Sequence, residues 1–439
     1  KTESDQSVLI AYTGEELESR STCWWKVRVW DKNGKASDWS EAAYFELGLL
    51  EESDWQASWI GAPMGEFVEE QACPVFRKEF TAEKEISSAR LYISGLGLYE
   101  AEINGSKVGD LVLTPGWTSF HSRVQYQTYD VTKQLSKGKN AIGVTLANGW
   151  YRGFKQFFSR TTQSTPEHLG VKAQLEISYS DGSTEVVETD ADWSYSTGPI
   201  LASGIYNGES YDARLENQGW SNPGFDESNW KQAVAQPPVS VRVVSPASPP
   251  MRAIEVLEPV KIFTTPEGDT VVDMGQNMVG WIRIRAAGKK GDVITLRHAE
   301  ILDKEGNIYY ENLRSAKQTN IYTLNGNGTE TFEPHFTFQG FRYVMVSGYP
   351  GTLEAKAIRG MVIHSDMEPA GTFTCSDPLI NQLQHDIVWG LKGNFLDVPT
   401  DCPQRDERLG WTGDAQVFAP TACFNMDAAS FYTKWLKDL

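Results

Sequence analysis

The strongest constraint on how this chain folds is a change of rhythm near residue 370. Upstream, apolar residues fall on every second position within short runs, as in Leu91 and Ile93, Ala101 and Ile103, Ile142, Val144 and Leu146, and Leu175, Ile177 and Tyr179. Downstream they recur at three- and four-residue intervals, through Ile380, Leu383, Ile387, Val388, Leu391 and Phe395, then through Phe431, Tyr432, Trp435, Leu436 and Leu439. Successive side chains of a strand point to opposite faces, whereas neighbours on one helix face lie three or four residues apart. The chain therefore buries sheet faces first and helix faces afterwards. Asp181-Gly182 and Asn33-Gly34 read as hairpin turns in the β region. Asp377 and Pro378 read as N-cap and first position of a helix, and Asp427 as the cap of the second run.

Composition narrows the function. A length of 439 residues suits about three domains. Forty basic against 58 acidic residues give a formal net charge of -18, which repels phosphate backbones and anionic membrane surfaces, so nucleic acid is not an expected partner. No apolar run approaches the ~18 residues of a membrane span, so no membrane insertion is expected. The polar start KTESDQS lacks both a signal-peptide core and a methionine, and a removed leader is expected. Cys23, Cys73, Cys375, Cys402 and Cys423 are odd in number and lack zinc-site spacing, so they read as mostly free. Six histidines without an HExxH motif argue against a catalytic transition metal. No cofactor is expected; calcium in a β domain stays open, although no EF-hand spacing exists. A homodimer also stays open.

The segment DCPQRDERLGWTGDAQ, starting at Asp401, concentrates the chemistry. It gathers the carboxylates Asp401, Asp406, Glu407 and Asp414, the cations Arg405 and Arg408, and Trp411. Pro399 and Pro403 oppose a helix across its start, and Gly410 and Gly413 permit turns, so the segment reads as a loop between helices. Cleaving a glycosidic bond needs a carboxylic acid to protonate the leaving oxygen and polar groups to fix the hydroxyls. A solvated, charged loop capping a helix is the competing reading. Cys402 is conceivable as a nucleophile, but no nearby histidine would activate it, and a small packing residue is the simpler reading.

The segment resembles the catalytic motif of bacterial α-L-rhamnosidases, glycoside hydrolase family 78. The resemblance implies that Glu407 is the general acid and that Asp401, Arg405, Trp411 and Asp414 line the subsite gripping the rhamnose ring. Arg405 and Arg408 beside Glu407 would favour its ionised form, while Asp401, Asp406 and Asp414 oppose them. Family membership also implies inversion, with a second carboxylate acting on water roughly 6.5 to 9.5 Å from the acid. That base belongs far downstream in an (α/α)6 barrel. This chain reaches Leu439 with only the first barrel helices, so it is expected to be an incomplete part with little or no hydrolysis of its own. The apolar stripe through Trp435 and Leu439, with no following element to bury it, points the same way.

The resemblance extends upstream. Residues 1–48 are similar to the end of a fibronectin-III-like sandwich, incomplete at its start. Residues 49–245, with LYEAEINGSKVGD, TPGWTSFHSRVQYQTYDVT and LANGWYRG, resemble the family's N-terminal jelly-roll β domain. There Trp117, Trp150 and Tyr151 are candidates to stack on sugars, with Asn104, Asn148 and Asp110 for hydroxyls, although tryptophans of a sandwich are more often core. After a linker-like stretch from Pro237 to Pro250, residues 250–367, with VVDMGQNMVGWIRI, resemble a concanavalin-like sandwich. Gly275 and Gly280 fit bulge or turn positions there, and Asp273, Gln276 and Asn277 either face the cleft or form a satisfied turn. Residues 368–439 would open the (α/α)6 barrel. The expected function is release of terminal α-L-rhamnose from a glycan or glycoside, in the periplasm or outside the cell, with the cytoplasm as the less favoured compartment. Two alternatives stand: a non-catalytic glycan-binding scaffold, and another glycosidase or lyase on an α/α barrel.

Overall fold

The computed structural model describes residues 4–6, 10–64, 71–152, 168–236 and 240–439. The chain divides into two compact units, Lys1–Gln56 and Ala57–Leu439. In the first, Thr22–Trp25 pairs antiparallel with Ala43–Glu46, and a turn at Asp31–Lys35 with Gly34 at φ 77 joins Trp30 to Ala36. The Asn-Gly hairpin expected there is present.

In the second unit, two sheets form a sandwich. One has strand order 231–232, 194–197, 74–82, 138–147, 98–103 and 106–107; the other runs 234–235, 60–61, 170–179, 86–96 and 127–130, with 184–188 added beside 170–179. The alternation read from the sequence is what fills the space between them. Leu91, Ile93, Ala101, Ile103, Ile142, Val144, Leu175 and Ile177 all belong to one buried cluster. Gly182 at φ 85 closes the predicted Asp181-Gly182 hairpin, where a side chain with a Cβ would be strained.

A ten-stranded curled sheet follows. Its long strand Thr270–Ala287 pairs with Gln339–Ser347 on one side and Ile358–Ser365 on the other. Two strands from earlier in the chain, Ile200–Gly204 and Gly208–Asp212, join its far edge through a parallel pairing to Thr319–Thr323. Period-2 logic is visible within the long strand. Val279 and Trp281 enter one core, which includes Leu98, Trp150 and Phe338, whereas Met278, Ile282 and Ile284 enter the core on the opposite face. Between them Gly280, at φ 147, lies so close to the neighbouring strand that a Cβ would sit 1.8 Å from the Met361 carbonyl oxygen. The pairing register shifts between Asp273 and Met278, so Gly275 does occupy a bulge.

Three helices close the described chain: α1, Pro378–Asn394; α2, Thr412–Asn425; and α3, Ala429–Asp438. Asp377 caps α1 through its carboxylate and the Leu379 N–H (2.9 Å), with Pro378 at the start, as the sequence predicts. Leu391, Phe395, Ala422, Met426 and Phe431 form the cluster among the helices, whereas Leu379, Leu383, Val417 and Phe424 stand exposed. The loop reading of residues 401–416 needs correction at its end. The loop stops at Trp411, and Gly413 and Asp414 belong to the first turn of α2. This helix carries Pro420 in its interior and has no single apolar face, so neither propensity nor periodicity announced it. Among the described residues no helix is long and apolar enough to cross a membrane.

Candidate active site

The charged loop at 401–411 is built as a closed neck with an inward-pointing anchor. Phe395–Leu396 folds back on Val398–Pro399 around Asp397 at φ 63, and Thr400 bridges Gly410. Asp401 completes the neck: its N–H donates to the Leu409 carbonyl and its Oδ1 accepts from the Leu409 N–H, both at 3.1 Å. Inside the loop, Arg408 adopts φ 46 and turns its guanidinium into the β core, where it is 1% exposed. It donates to the carbonyls of Ile205 (2.6 Å), Phe338 (2.6 Å), Gln404 (2.9 Å) and Arg405 (3.1 Å) and to Gln318 Oε1 (3.1 Å). It also lies over the rings of Phe338 and Tyr206. Burial lowers its pKa to about 10. The expectation that Arg408 acts on Glu407 from beside it is thus corrected, because the backbone turn sends the side chain away.

Glu407 is 8% exposed, and Tyr206 Oη donates to its carbonyl at 2.9 Å. Its Oε2 lies 2.9 Å from Arg405 Nη2 and 3.2 Å from Arg314 Nη1. Among the described residues no donor meets hydrogen-bond geometry at that oxygen. Arg405 is shared with Asp401 Oδ2 at 3.5 Å, while Arg314 also approaches Asp406 Oδ1 at 3.6 Å. Ser315 Oγ donates to Asp406 Oδ2. Asp401, Arg405 and Glu407 are therefore brought together. Arg314 and Ser315 escaped the sequence reading because they sit in an irregular stretch with no motif around them.

The other two candidates stand on two separate clefts. Asp414 is exposed and shares with Asp401 a cleft of about 520 Å³ lined also by Phe395, Phe418 and Tyr432. Trp411 lines a smaller cleft of about 210 Å³ with Trp117, Trp435 and Asp438.

Donor atoms of Asp401, Cys402 and Glu407 lie within 4.8 Å of one another. The set does not suit a metal. Arg405 already places a cation on both carboxylates, and burial, with the neighbouring Asp401, pushes the Cys402 thiol up to about 11, so it stays protonated. The same shift argues against Cys402 as a nucleophile.

Most sugar-stacking candidates upstream prove to be packing or turn residues. Trp150 is buried and stacked on Trp117 with centroids 5.6 Å apart. Asn104 bonds Gln134 and Asn140, Asn148 accepts from Arg152, and Asp110 pairs with Arg252. Tyr151 packs edge-on against Phe120. In the bulge, Asp273 pairs with Arg342 (2.8 Å), Gln276 bonds His385 of α1 (3.1 Å) and Asn277 donates to Glu300 (3.0 Å), the satisfied-turn alternative.

Sheets that anchor an arginine-braced, buried glutamate where the helices begin define a multidomain protein of β domains followed by a helical region, and the comparisons name the family. Residues 84–255 match the alpha-L-rhamnosidase N-terminal domain, 263–364 the bacterial alpha-L-rhamnosidase concanavalin-like domain, and 368–439 the bacterial alpha-L-rhamnosidase 6 hairpin glycosidase domain. Residues 1–51 match the Rha78A-like N-terminal immunoglobulin domain, where the sequence had suggested a fibronectin-III-like end. The chain is 44% identical over 417 residues to an alpha-L-rhamnosidase of Streptomyces avermitilis, covering 93% of this chain and 40% of that protein. It is 42% identical over 450 residues to one of Formosa agariphila, covering 100% of this chain and 48% of that protein. The crystal structure of the Aspergillus terreus enzyme superposes with a TM-score of 0.95 at 43% identity, covering 100% of this chain and 51% of that one. The Streptomyces avermitilis enzyme complexed with L-rhamnose gives 0.94 at 33%, covering 99% and 58%. The chain belongs to the bacterial α-L-rhamnosidase family, glycoside hydrolase family 78, and spans about half the length of the curated relatives it matches.

Proposed function

We propose that this chain supplies the general acid and part of the sugar subsite of an α-L-rhamnosidase, which releases terminal α-L-rhamnose from glycans or glycosides. The observation that carries this reading is the buried Glu407, paired with Arg405, which Asp401 also engages, on a loop anchored to the β core. The Glu407 carboxylate, flanked by Arg405 and Arg314, is the group we assign to protonate the glycosidic oxygen. Asp401, Arg405, Asp414 and Trp411 would hold the ring and its hydroxyls. For Asp414 and Trp411 this requires the two clefts to serve one sugar.

The mechanism we favour is inverting. Asp401 does not qualify as the base: its closest approach to Glu407, within 4.8 Å, leaves no room for the water that an inverting pair holds across roughly 6.5 to 9.5 Å. That approach is nearer the spacing of a retaining pair, but both Asp401 oxygens are engaged by Leu409 and Arg405, which suits sugar binding better than nucleophilic attack. We assign the base to the helical barrel that the relatives continue, and expect little or no hydrolysis from these 439 residues alone. Action in the periplasm or outside the cell follows from the substrate class, and fractionation of the producing cells checks it.

The test is hydrolysis of an aryl α-L-rhamnoside by the protein taken to the natural end of its gene, with Glu407→Gln and Asp401→Asn beside it. Turnover in the parent, its loss in Glu407→Gln and a raised KM in Asp401→Asn are expected. A folded parent that binds rhamnose and releases none would make the protein a glycan-binding scaffold instead.

A further inference from the structure

Glu407 is braced from outside its own loop. Arg314 and Ser315 lie between the strands Val293–Ala299 and Thr319–Thr323 of the ten-stranded sheet, some ninety positions earlier in the chain, and meet the consecutive acids Asp406 and Glu407. Their loop is built to hold that position. Leu313 and Ala316, on either side, are 1% and 4% exposed. The Leu313 N–H donates to Tyr310 (3.0 Å), the Arg314 N–H to Glu311 (3.3 Å) and the Ala316 N–H to Leu313 (3.1 Å). Arg314 itself sits at φ 57, a backbone conformation that residues with a Cβ seldom adopt, so a specific contact is being served.

We propose that Arg314, an arginine of the β region, is a positioning residue for Glu407 that holds its carboxylate in place for proton transfer. The inference rests on Glu407 being the general acid. Around that carboxylate stand Arg405, Asp401, Cys402 and Asp406 from its own loop and Arg314 from the sheet. Tyr206 touches only its backbone, Arg408 is turned into the core, and Glu300, whose pKa burial raises, acts through Arg405 and Arg408. A general acid matters most where the leaving group is poor, so losing the contact that positions it falls hardest on such substrates. Arg314 is 44% exposed and solvent screens it, so the loss stays well short of that from removing the acid itself.

The experiment compares kcat/KM of the gene-length protein on a rhamnoside with a poor leaving group and on one with an activated aryl leaving group. Arg314→Gln and Arg314→Met should both lose about tenfold on the first and much less on the second. Arg314→Lys, which keeps the cation, should recover most of that loss. Equal losses on both substrates in the two charge-deleting variants overturn the proposal and make Arg314 a structural brace. The same overturning follows if Arg314→Lys loses as much as Arg314→Gln. Failure of the underlying reading looks different: Glu407→Gln would retain parental turnover on the same substrate. Circular dichroism of each variant confirms that folded proteins are compared.

Discussion

At the scale of single residues, the motif separates into groups that cluster at the Glu407 carboxylate and one that builds the loop. Arg405 and Asp401 surround the Glu407 carboxylate, whereas Arg408, two residues from Asp406 and one from Glu407, spends its donors on four backbone carbonyls and Gln318. Arg408→Met should therefore cost on the order of 3 kcal/mol or more, because it leaves several buried acceptors unpaired. Urea midpoints of the two proteins measure this; a loss below about 1 kcal/mol would deny Arg408 its anchoring role. The sequence made the cluster of charges legible, because four carboxylates and two arginines fall within 16 residues. It could not say which arginine faces the acid. That depends on a left-handed φ at Arg408 and on carbonyls of Ile205 and Phe338 about 200 and 70 positions away.

At the scale of elements, period-2 runs and hairpin signals were legible because each is a local consequence of one buried face. The helix α2 was not, since its Pro420 and evenly spread apolar residues carry no such imprint. Asp427, read as a cap, falls one residue early: Ala428 is the N-cap of α3, and the Asp427 carboxylate accepts from the Ala429 N–H only at 3.4 Å. What fixes α3 is a group that no periodicity shows. Lys434 is 0% exposed, pairs with Asp397 (2.9 Å) and Asp438 (3.1 Å), and donates to the carbonyls of Trp117 and Asp397. Lys434→Met should destabilise by about 3–5 kcal/mol, since it strands buried carboxylates, and hydrogen exchange should show α3 opening first. An unchanged melting temperature would contradict this.

A second inter-element group gives a pH dependence. His335 lies 3.0 Å from Glu100 and is stacked on Tyr211, and its N–H donates to the buried Glu209. Burial opposes its charge, yet Glu100 and Glu209 carry its pKa up to about 9 from 6.5. A raised folded-state pKa contributes stability that is whole below the unfolded value and is lost as pH rises through the folded one. The melting temperature should accordingly fall between pH 6.5 and about 9, and His335→Gln should flatten that fall. A variant with the same slope as the parent would remove His335 from the account.

At the scale of the whole molecule, the order of β region then helices was readable from the change of rhythm alone, and the resemblance supplied the names of the parts. The path of the sheets was less accessible. The strand at 208–212, with 200–204 paired on its outer side, crosses to pair with Thr319–Thr323, a non-local choice that local alternation does not encode. That crossing places Ile205 and Tyr206 where the loop at 401–411 meets them, so the β region is the seat of the loop that carries Glu407. The central claim is that Glu407 protonates the leaving group. Its most direct test compares Glu407→Gln with the gene-length parent on two rhamnosides, one with an activated dinitrophenyl leaving group and one with an alkyl alcohol. General-acid catalysis predicts a loss of about 10² to 10⁴-fold on the alkyl rhamnoside and a much smaller one on the activated substrate. Equal losses on both substrates, or none on either, would contradict the assignment.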